Sequence, residues 1–508
     1  MSDRAPASRD GVRHPGVTSL GLLARGIATL PEGAADLRID GLAVDSRAVR
    51  PGTLFAALPG AVVDGRRFIA EAVARGAVAV LAPDGTHWPA GVAPVPLLTA
   101  AEPRRALARM AAAQAGQQPG RMVAVTGTNG KTSTVDFLRQ IWTLGGTRAA
   151  SVGTLGVVAD VALPDTGPVL TTPDSLALAT LLSALDAGGV QAAAIEASSH
   201  GMDQFRLDGV RLAAAGFSNL TRDHLDYHGT IAAYRDAKLR LFTELLPDGG
   251  VACANADMDP DTLARLRSIA EARRLRLRLV GKNGDTIRLQ RALSLADGQM
   301  LEIEVQGRRH EIRLALPGRF QADNVLLAAS LAEADEAALP SVLSRLERLV
   351  GVRGRMELAA SLPNGSAAYV DYAHTPDALE RLLASLRPHA EQGGGRLAIV
   401  FGAGGDRDRG KRPLMGAAAS RLADLVIVTD DNPRSEDPAA IRREILAACP
   451  GALEVGDRAR AIETGLSALR PGDVLVVAGK GHEQGQIVAG AVHPFDDVSV
   501  VRALAGAA

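Results

Sequence analysis

Cysteine is scarce. Cys253 and Cys449 are the two in 508 residues. They lie far apart with no metal-ligand spacing around either, so they read as buried or free thiols of a reducing compartment. Aromatic residues are equally few, with 9 Phe, 4 Tyr and 2 Trp. That argues against an aromatic-rich β-sandwich and for β-α-β layers built from Ala, Val and Leu. No stretch reaches the ~18 continuous apolar residues of a spanning helix, so no membrane insertion is expected. Residues 1–16, MSDRAPASRDGVRHPG, lack the apolar core of a signal peptide. They are expected to be a loose leader on a cytoplasmic protein. Neither sign of charge prevails, because 56 Lys and Arg face 57 Asp and Glu for a net charge of -1. A broad basic face for nucleic acid is therefore not indicated.

What is present is a globular composition, 47% hydrophobic, with 54 Gly and 27 Pro as punctuation. At about 150 residues per domain the length suggests three domains. From Leu20 to about Glu102 short strands, turns and a helix over Phe68–Arg75 are expected, with a strand over Ala77–Leu81. A helix follows over Pro103–Ala115. A stronger β-α alternation starts with a strand at Met122–Thr126 and a helix at Lys131–Leu144. Strands at Ala192–Ile195 and Leu212–Phe217 and a helix at Ile231–Leu245 continue it. Between Asp285 and Leu316 the apolar period becomes two, which predicts a small antiparallel sheet. The alternating Arg/Leu run Arg273–Arg278 reads as a two-faced strand or helix surface. After a helix at Gln321–Ala334, a third alternating set begins beyond Arg355. Its strands are Ala367–Val370, Leu397–Phe401, Leu425–Thr429 and Val474–Ala478, with helices near Pro376–Leu386, Pro438–Ala448 and Ala459–Leu469. Strands alternating with helices imply a parallel sheet covered on both faces.

The polar motifs stand at strand ends. Gly127-Thr128-Asn129-Gly130-Lys131-Thr132-Ser133 follows the Met122–Thr126 strand and opens a helix. That setting suits a phosphate cradle, with backbone N–H groups and the helix dipole on the anion, Lys131 on the outer phosphates and Thr132 on Mg²⁺. Val125 replaces the first Gly of the common form. Glu196-Ala-Ser198-Ser199-His200-Gly201 places an acid where a Mg²⁺ ligand belongs, at a strand's carboxyl end. Ser218–Gly229 is too polar for a core, and Asp223 or His224 suits a metal-phosphate site. Lys238, taken on its residues alone, reads as a surface helix lysine. Asp371 and His374 stand at a strand-to-helix junction that Thr375 and Pro376 also suit as a helix cap. Gly402–Arg412, Asp430–Arg434 and Gly479–Glu483 leave three strands of one sheet, whose carboxyl ends converge on one crevice.

Together these motifs resemble the Mur ligases over nearly the whole chain after the leader. The resemblance rests on GTNGKTS at Gly127–Ser133, EASSHG at Glu196–Gly201 and SNLTRDHLDYHG at Ser218–Gly229. YRDAKLRLF at Tyr234–Phe242, DYAHTPDALE at Asp371–Glu380 and GDRDRGKRPLM at Gly405–Met415 extend it. Within the family the chain is most similar to the peptidoglycan tripeptide synthetases. Asp431-Asn432-Pro433-Arg434 resembles the form that adds meso-2,6-diaminopimelate, rather than L-lysine, to UDP-N-acetylmuramoyl-L-alanyl-D-glutamate. The resemblance implies an α/β protein of three domains. Residues 1–102 form a small UDP-substrate domain, 103–352 a central P-loop ATPase with a parallel sheet and a small antiparallel one, and 353–508 a Rossmann-like domain.

It also implies roles. ATP falls on Gly127–Ser133, Asn324 and Arg355, and Mg²⁺ on Thr132, Glu196 and His224. The UDP end falls on Val44 and Ser46, and the muramyl dipeptide on Thr171, Thr172, Ser198, Gln204 and Arg206. Lys238 matches a carbamylated lysine that holds a second Mg²⁺, against its bland reading. Arg407, Asp431, Asn432, Pro433, Arg434, Gly479 and Glu483 match the diaminopimelate pocket. Positions Ala61–Val63, in the uridine-side loop, suggest mainly backbone contacts. The implied reaction activates a carboxylate as an acyl phosphate with ATP, after which an amine attacks; Asp371 and His374 match nucleotide-facing positions, and on chemical grounds either could take the amine's proton. A monomer that closes around its substrates is expected. The competing readings are the same ligase with L-lysine or another diamine, a folylpolyglutamate synthetase, and a P-loop switch ATPase.

Overall fold

The structure is a computed structural model and describes residues 18–60, 63–295 and 297–506. The expected leader, and Ala61 and Val62 of the uridine-side loop, lie outside the described residues. The chain packs as two compact units. One holds the chain up to Lys131 with Gly146–Ala252 and Asp259–Leu277. The other holds Thr132–Gly145, Cys253–Met258 and Arg278 onward.

The first unit begins with a parallel sheet of four strands, Gly41–Ala43, Thr53–Ala56, Ala77–Pro83 and Leu97–Ala100, in that order. Alternate residues face opposite sides. Leu54, Ala79, Leu81 and Leu98 pack on one, Phe55, Val80 and Ala82 on the other. The expected helix over Phe68–Arg75 is a 3₁₀ turn, Gly65–Phe68, followed by an α-helix, Ile69–Ala74. Asp64 makes the difference, because its carboxylate accepts the Arg66 N–H and starts the turn early. Gly76 then ends the element at φ 102°, with Pro51 so close that a Cβ would crowd it.

Pro103–Ala115 is helical over its expected span. The larger parallel arrangement of this unit runs Ala149–Gly153, Ala192–Glu196, Arg121–Thr126 and Leu212–Phe217. These strands are nearly all buried, which explains their continuous apolar runs rather than alternation. Their carboxyl ends carry the Gly127 loop, Glu196 and Ser218. The helix expected over Ile231–Leu245 is α-helical only for Ile231–Arg240. Leu241–Leu245 winds wider, with the Leu246 N–H reaching back to Leu241 O. Burial supplies the reason, since Phe242 stacks on Phe217 with ring centres 6.1 Å apart.

In the second unit Ile287–Leu295, Gly298–Val305 and Arg308–Leu314 form the expected antiparallel sheet. Ile287, Leu289, Leu301, Ile303, Val305, Ile312 and Leu314 are all buried, as the period of two requires. Arg278, from the alternating Arg/Leu run, is buried rather than a surface residue. Its guanidinium donates to the carbonyls of Ser330, Glu333 and Ala334 at the end of the Arg319–Ala332 helix. Such ends carry unpaired carbonyls and favour a cation.

The last sheet has six strands ordered Glu357–Ser361, Ala367–Asp371, Val474–Ala478, Leu397–Phe401, Leu425–Val428 and Leu453–Glu454. The first is antiparallel to its neighbour and the others are parallel. Both faces are covered. Tyr369, Ile399 and Val476 meet Leu379, Leu382 and Leu386 of the Pro376–Gln392 helix. Val370, Val400 and Val477 meet Ile462 and Val501 from the Arg458–Ser467 and Asp497–Gly506 helices. The Pro376 helix continues past its expected end at Leu386 and through Pro388, carrying His389 and Ala390 into the core.

Candidate active site

The Gly127 loop is held open by its neighbours. Gly127 and Gly130 have φ of 144° and 81°, which side chains disfavour. A Cβ on Gly127 would also stand 2.0 Å from Ser218 Oγ. Ser218 and Asn219, which the residue-level reading did not single out, brace the loop. Ser218 Oγ donates to Asn129 O at 2.6 Å, and Asn219 Oδ1 accepts the Asn129 N–H at 3.0 Å. The Thr128 N–H reaches Asn219 O at 2.8 Å. Lys131 is turned back on its own loop, donating to Gly127 O and Thr128 O at 2.9 Å each. Those two carbonyls occupy the ammonium where a phosphate would otherwise draw it. Thr132 and Ser133 follow on the first turn of the Lys131–Leu144 helix.

Lys238 corrects its residue-level reading, because it is buried at 1% exposure rather than on the surface. Its Nζ donates to Gly127 O at 2.8 Å and lies 4.4 Å from the Tyr234 ring centre. One helical turn separates the two side chains, so both face the loop. Tyr234 in turn donates to Thr128 Oγ1 at 3.2 Å. Burial, reinforced by the Lys131 charge, pushes the Lys238 ammonium down to about 6.

Glu196 is 1% exposed at the end of its strand. Its carboxylate accepts from Thr154 N at 2.8 Å and Thr154 Oγ1 at 3.3 Å. Thr154 Oγ1 also meets Thr171 Oγ1 at 3.2 Å. Thr172 Oγ1 donates to Glu196 O at 2.7 Å and lies 2.9 Å from Ser198 Oγ. Arg206 donates to Thr172 O and to Gln204 Oε1. Thr171, Thr172, Ser198, Gln204 and Arg206 are thus one polar cluster beside Glu196. Gln204 Nε2 reaches Tyr227 OH at 3.4 Å, so Tyr227 is an added wall of that cluster. His224 has φ 50° and stands edge-on to His200, ring centres 4.9 Å apart. Asp223 lies 3.5 Å from its Nε2.

Among the described residues no three His, Cys, Asp or Glu side chains gather into a ready metal cage. The buried Glu196 carboxylate is a hard oxygen donor at its strand's end, of the kind Mg²⁺ takes, one or two at a time, beside substrate phosphates. Val44 and Ser46 sit in the small sheet's first loop. Val44 is exposed, and Ser46 Oγ donates to Glu71 Oε2 at 3.0 Å. Among the described residues no hydrogen bond joins either to the Thr171–Arg206 cluster.

The second unit carries another polar concentration. Asp371 accepts the Met356 N–H at 2.7 Å and the Ala373 N–H at 2.8 Å, one on each oxygen. Burial pushes its carboxyl up, opposed by the nearby Arg355. Arg355 lies over the Tyr372 ring at 4.9 Å, and the Arg355 carbonyl accepts from Gln321, which also pairs with Asn324. His374 Nδ1 is 2.9 Å from Tyr372 O, which leaves Nε2 as the acceptor if Nδ1 holds the proton.

Asp431, Asn432, Arg434, Gly479 and Glu483 come together as expected from converging strand ends. Asp431 Oδ2 is buried without a hydrogen-bond partner. A Cβ on Gly479 would stand 2.4 Å from it, so only Gly leaves this space open. Asn432 Nδ2 donates to Glu483 Oε2 at 2.8 Å. Arg434, at φ 54°, donates to Gly405 O at 2.8 Å. Its backbone pairs with Ile487 and Ala489 of the Gly485–Val488 hairpin arm and the residue after it. Pro433 O lies so close to Gly405 that a Cβ there would be 1.9 Å away. Arg407 is exposed on its loop, and among the described residues no hydrogen bond ties it to these groups.

Two residues that the sequence reading missed underpin this cluster. Arg458 and Asp497 form an ion pair at 2.7 Å with both side chains fully buried. Arg458 also donates to Ala478 O at 3.0 Å, at the base of the Gly479 loop. Nothing in their local sequence marks them, since the partners are far apart in the chain. Lys480 is fully buried between Asn432 and Glu483.

A glycine loop opening a helix near a buried acid and lysine, and a separate sheet whose strand ends gather acidic and basic groups, form the pattern of an ATP-dependent ligase of the Mur type. Comparison bears this out, and the chain belongs to the Mur ligase family. Models described as the Mur ligase middle domain, the Mur ligase glutamate ligase domain and the Mur ligase family catalytic domain match residues 125–332, 354–481 and 38–115. Within that family it groups with the UDP-N-acetylmuramoyl-L-alanyl-D-glutamate--2,6-diaminopimelate ligases. It is 54% identical to the protein of that name from Caulobacter vibrioides, over 93% of this chain and 97% of that one. It is 51% identical to the one from Mesorhizobium japonicum, over 92% and 95%. A solved structure of such a ligase aligns with TM-score 0.72 at 33% identity, covering 97% of this chain and 99% of that one. No described helix is long and apolar enough to cross a membrane.

Proposed function

We propose that this chain uses ATP to join meso-2,6-diaminopimelate to the D-glutamate of UDP-N-acetylmuramoyl-L-alanyl-D-glutamate, a step of peptidoglycan synthesis. The observation that carries the choice of amine is the pocket of Asp431, Asn432, Arg434 and Glu483, acidic and basic together. Diaminopimelate differs from lysine by a distal carboxylate, and a guanidinium binds carboxylate through two parallel N–H groups. Arg434 takes that carboxylate and Glu483 the ammonium beside it. Arg407, Pro433 and Gly479 complete the pocket in this reading.

A free carboxylate is not amidated directly, because its leaving group would be oxide. The γ-carboxylate of D-glutamate therefore attacks the γ-phosphorus of ATP, forming an acyl phosphate and releasing ADP. The amine then attacks the acyl carbon, phosphate leaves, and the ammonium proton passes to an acceptor. Positioning and neutralisation of phosphate charge are the protein's main contribution. Loop N–H groups of Gly127–Thr132 and the Lys131 ammonium, released from Gly127 O and Thr128 O, hold the phosphates. Asn324 and Arg355 are assigned to the nucleotide, as in the family. Thr171, Thr172, Ser198, Gln204 and Arg206 hold the muramyl dipeptide, and Val44 and Ser46 its UDP end.

Thr132, Glu196, His224 and a carbamylated Lys238 would hold Mg²⁺, which when bound supplies charge neutralisation on phosphate oxygens. For the proton, His374 suits better than Asp371, whose two oxygens already accept backbone N–H groups. Near-normal turnover in both His374→Ala and Asp371→Asn would remove this role. The same reading divides the chain into three functional domains near residues 102 and 352, although the first family segment runs on to residue 115. The enzyme acts as a cytoplasmic monomer in this reading, since its substrates are nucleotides made there, and sedimentation tests the monomer.

The test is phosphate release with the UDP-linked substrate against a panel of diamines. Release that needs both the nucleotide substrate and diaminopimelate, and is weak with L-lysine, is the expected result. Release without an amine would point to a switch ATPase, and equal use of L-lysine would refute the pocket's assignment.

A further inference from the structure

The diaminopimelate pocket contains a cation that no role above uses. Lys480 is 0% exposed, and its Nζ donates to Asn432 Oδ1 at 2.9 Å and to Glu483 Oε2 at 3.3 Å. A lysine is costly to bury unless its charge is paired, so its place calls for a reason. Asn432 Oδ1 also accepts the Ile487 N–H at 3.0 Å. Both lone pairs of that oxygen are thereby committed. The amide is left with one orientation, in which Nδ2 donates to Glu483 Oε2. Glu483 Oε2 accepts from both Lys480 and Asn432, which leaves Oε1 for a ligand.

We propose that Lys480 is a positioning residue for the incoming amino acid. Its ammonium pins Glu483 Oε2 beside Asn432 and balances the carboxylate's charge, so that Oε1 is the oxygen left for a substrate ammonium. The Ile487 N–H and the Glu483 carboxylate already orient the Asn432 amide, so what Lys480 adds is the fixed place and charge of Glu483. Lys480 thus acts on substrate through Glu483 and does not itself touch it. The proposal rests on the assignment of this pocket to the diamino acid.

The test is steady-state kinetics of Lys480→Met, alone and combined with Glu483→Gln. Losing a charge-assisted hydrogen-bond arrangement is worth about 10- to 100-fold. Lys480→Met is expected to raise KM for diaminopimelate by that factor while KM for ATP changes less than about 2-fold. In the Glu483→Gln background the same change is expected to cost under about 3-fold, because the group it holds is already altered. A parental KM for diaminopimelate in folded Lys480→Met overturns the proposal. So do equal losses for all three substrates, or effects of the two substitutions that simply multiply.

Removing a buried lysine can prevent folding, so Asn432→Asp is the second variant. It keeps an acceptor for Lys480 and Ile487 but puts an oxygen against Glu483. A parental KM for diaminopimelate in that variant also overturns the proposal. Failure of the pocket assignment is separate, because it appears in the parent enzyme as use of another amine. The variants are then scored on that amine by the same criteria.

Discussion

Replacing or modifying Lys238 tests the phosphate site most directly. Burial and the Lys131 charge hold its ammonium down to about 6. At pH 8 such a group is about 99% free amine, whereas an ordinary lysine is about 0.4%, a gain of roughly 250-fold in the nucleophile that CO₂ requires. The resulting carbamate nitrogen keeps one hydrogen, so the bond to Gly127 O survives while the charge changes sign. With ¹³C-bicarbonate at pH 8, the expected outcome is one carbamate resonance in the parent protein and none in Lys238→Arg. Activity should fall in CO₂-free buffer, return with bicarbonate, and be harder to restore as pH drops through about 6, where the amine becomes protonated.

The same shift has a stability consequence in the unmodified protein. The folded value lies below the unfolded one, so the unfolded chain binds the extra proton between about 6 and the ordinary lysine range. Stability therefore rises with pH across that window, and the penalty is complete below about 6. Lys238→Met should remove that slope in denaturant titrations at pH 6 and 9. Full activity in CO₂-free buffer together with no labelled carbamate at pH 8 would refute the reasoning.

Three further outcomes follow from the same geometry. Arg434→Ala should raise KM for diaminopimelate by about 10- to 150-fold and leave KM for ATP unchanged, from a lost charge-assisted pair of roughly 1.5–3 kcal/mol. An unchanged KM for the amino acid would remove Arg434 from the pocket. Asp497→Ala strands the buried Arg458 and should cost about 3–5 kcal/mol in urea unfolding, with a loss below about 1 kcal/mol counting against the ion pair's role. Cys253, buried and pushed up to about 11, and Cys449, also pushed up by burial, should both resist thiol reagents in the native protein at pH 8. They should react together on unfolding, and fast native labelling would contradict their burial.

Much of the architecture was legible because its signals are short-range. The period of two over Ile287–Leu314 and the buried runs Leu212–Phe217 and Val474–Ala478 fell on strands with little shift. The Lys131–Leu144 helix began where the loop ended. Errors came where burial of one side chain outweighed local preference. Phe242 widened a helix to reach Phe217, and His389 and Ala390 drew another through Pro388. The Gly127–Ser133 loop was visible because its glycines, lysine and hydroxyls are contiguous.

Contact partners were not visible in this way. Lys238 read as a surface residue on its own helix, and only packing against Gly127 makes it a buried amine. Lys480 lies within the Gly479–Glu483 motif, yet the role of its charge depends on its pairing with Asn432, which arrives from another segment. Arg458 and Asp497 carried no local mark at all.

Residue order thus settled the layers, the strand-end loops and the family, since periodicity and contiguous motifs act over a few residues. It left open which polar groups lose water and which partner each then finds. Those depend on segments 48 residues apart for Lys480 and Asn432, and 111 apart for Lys238 and Gly127. Desolvation turns such meetings into chemistry, because a buried charge must either be paired or change its protonation. Lys480 follows the first course and Lys238 the second, and the fold separates them although both are lysines in conspicuous motifs.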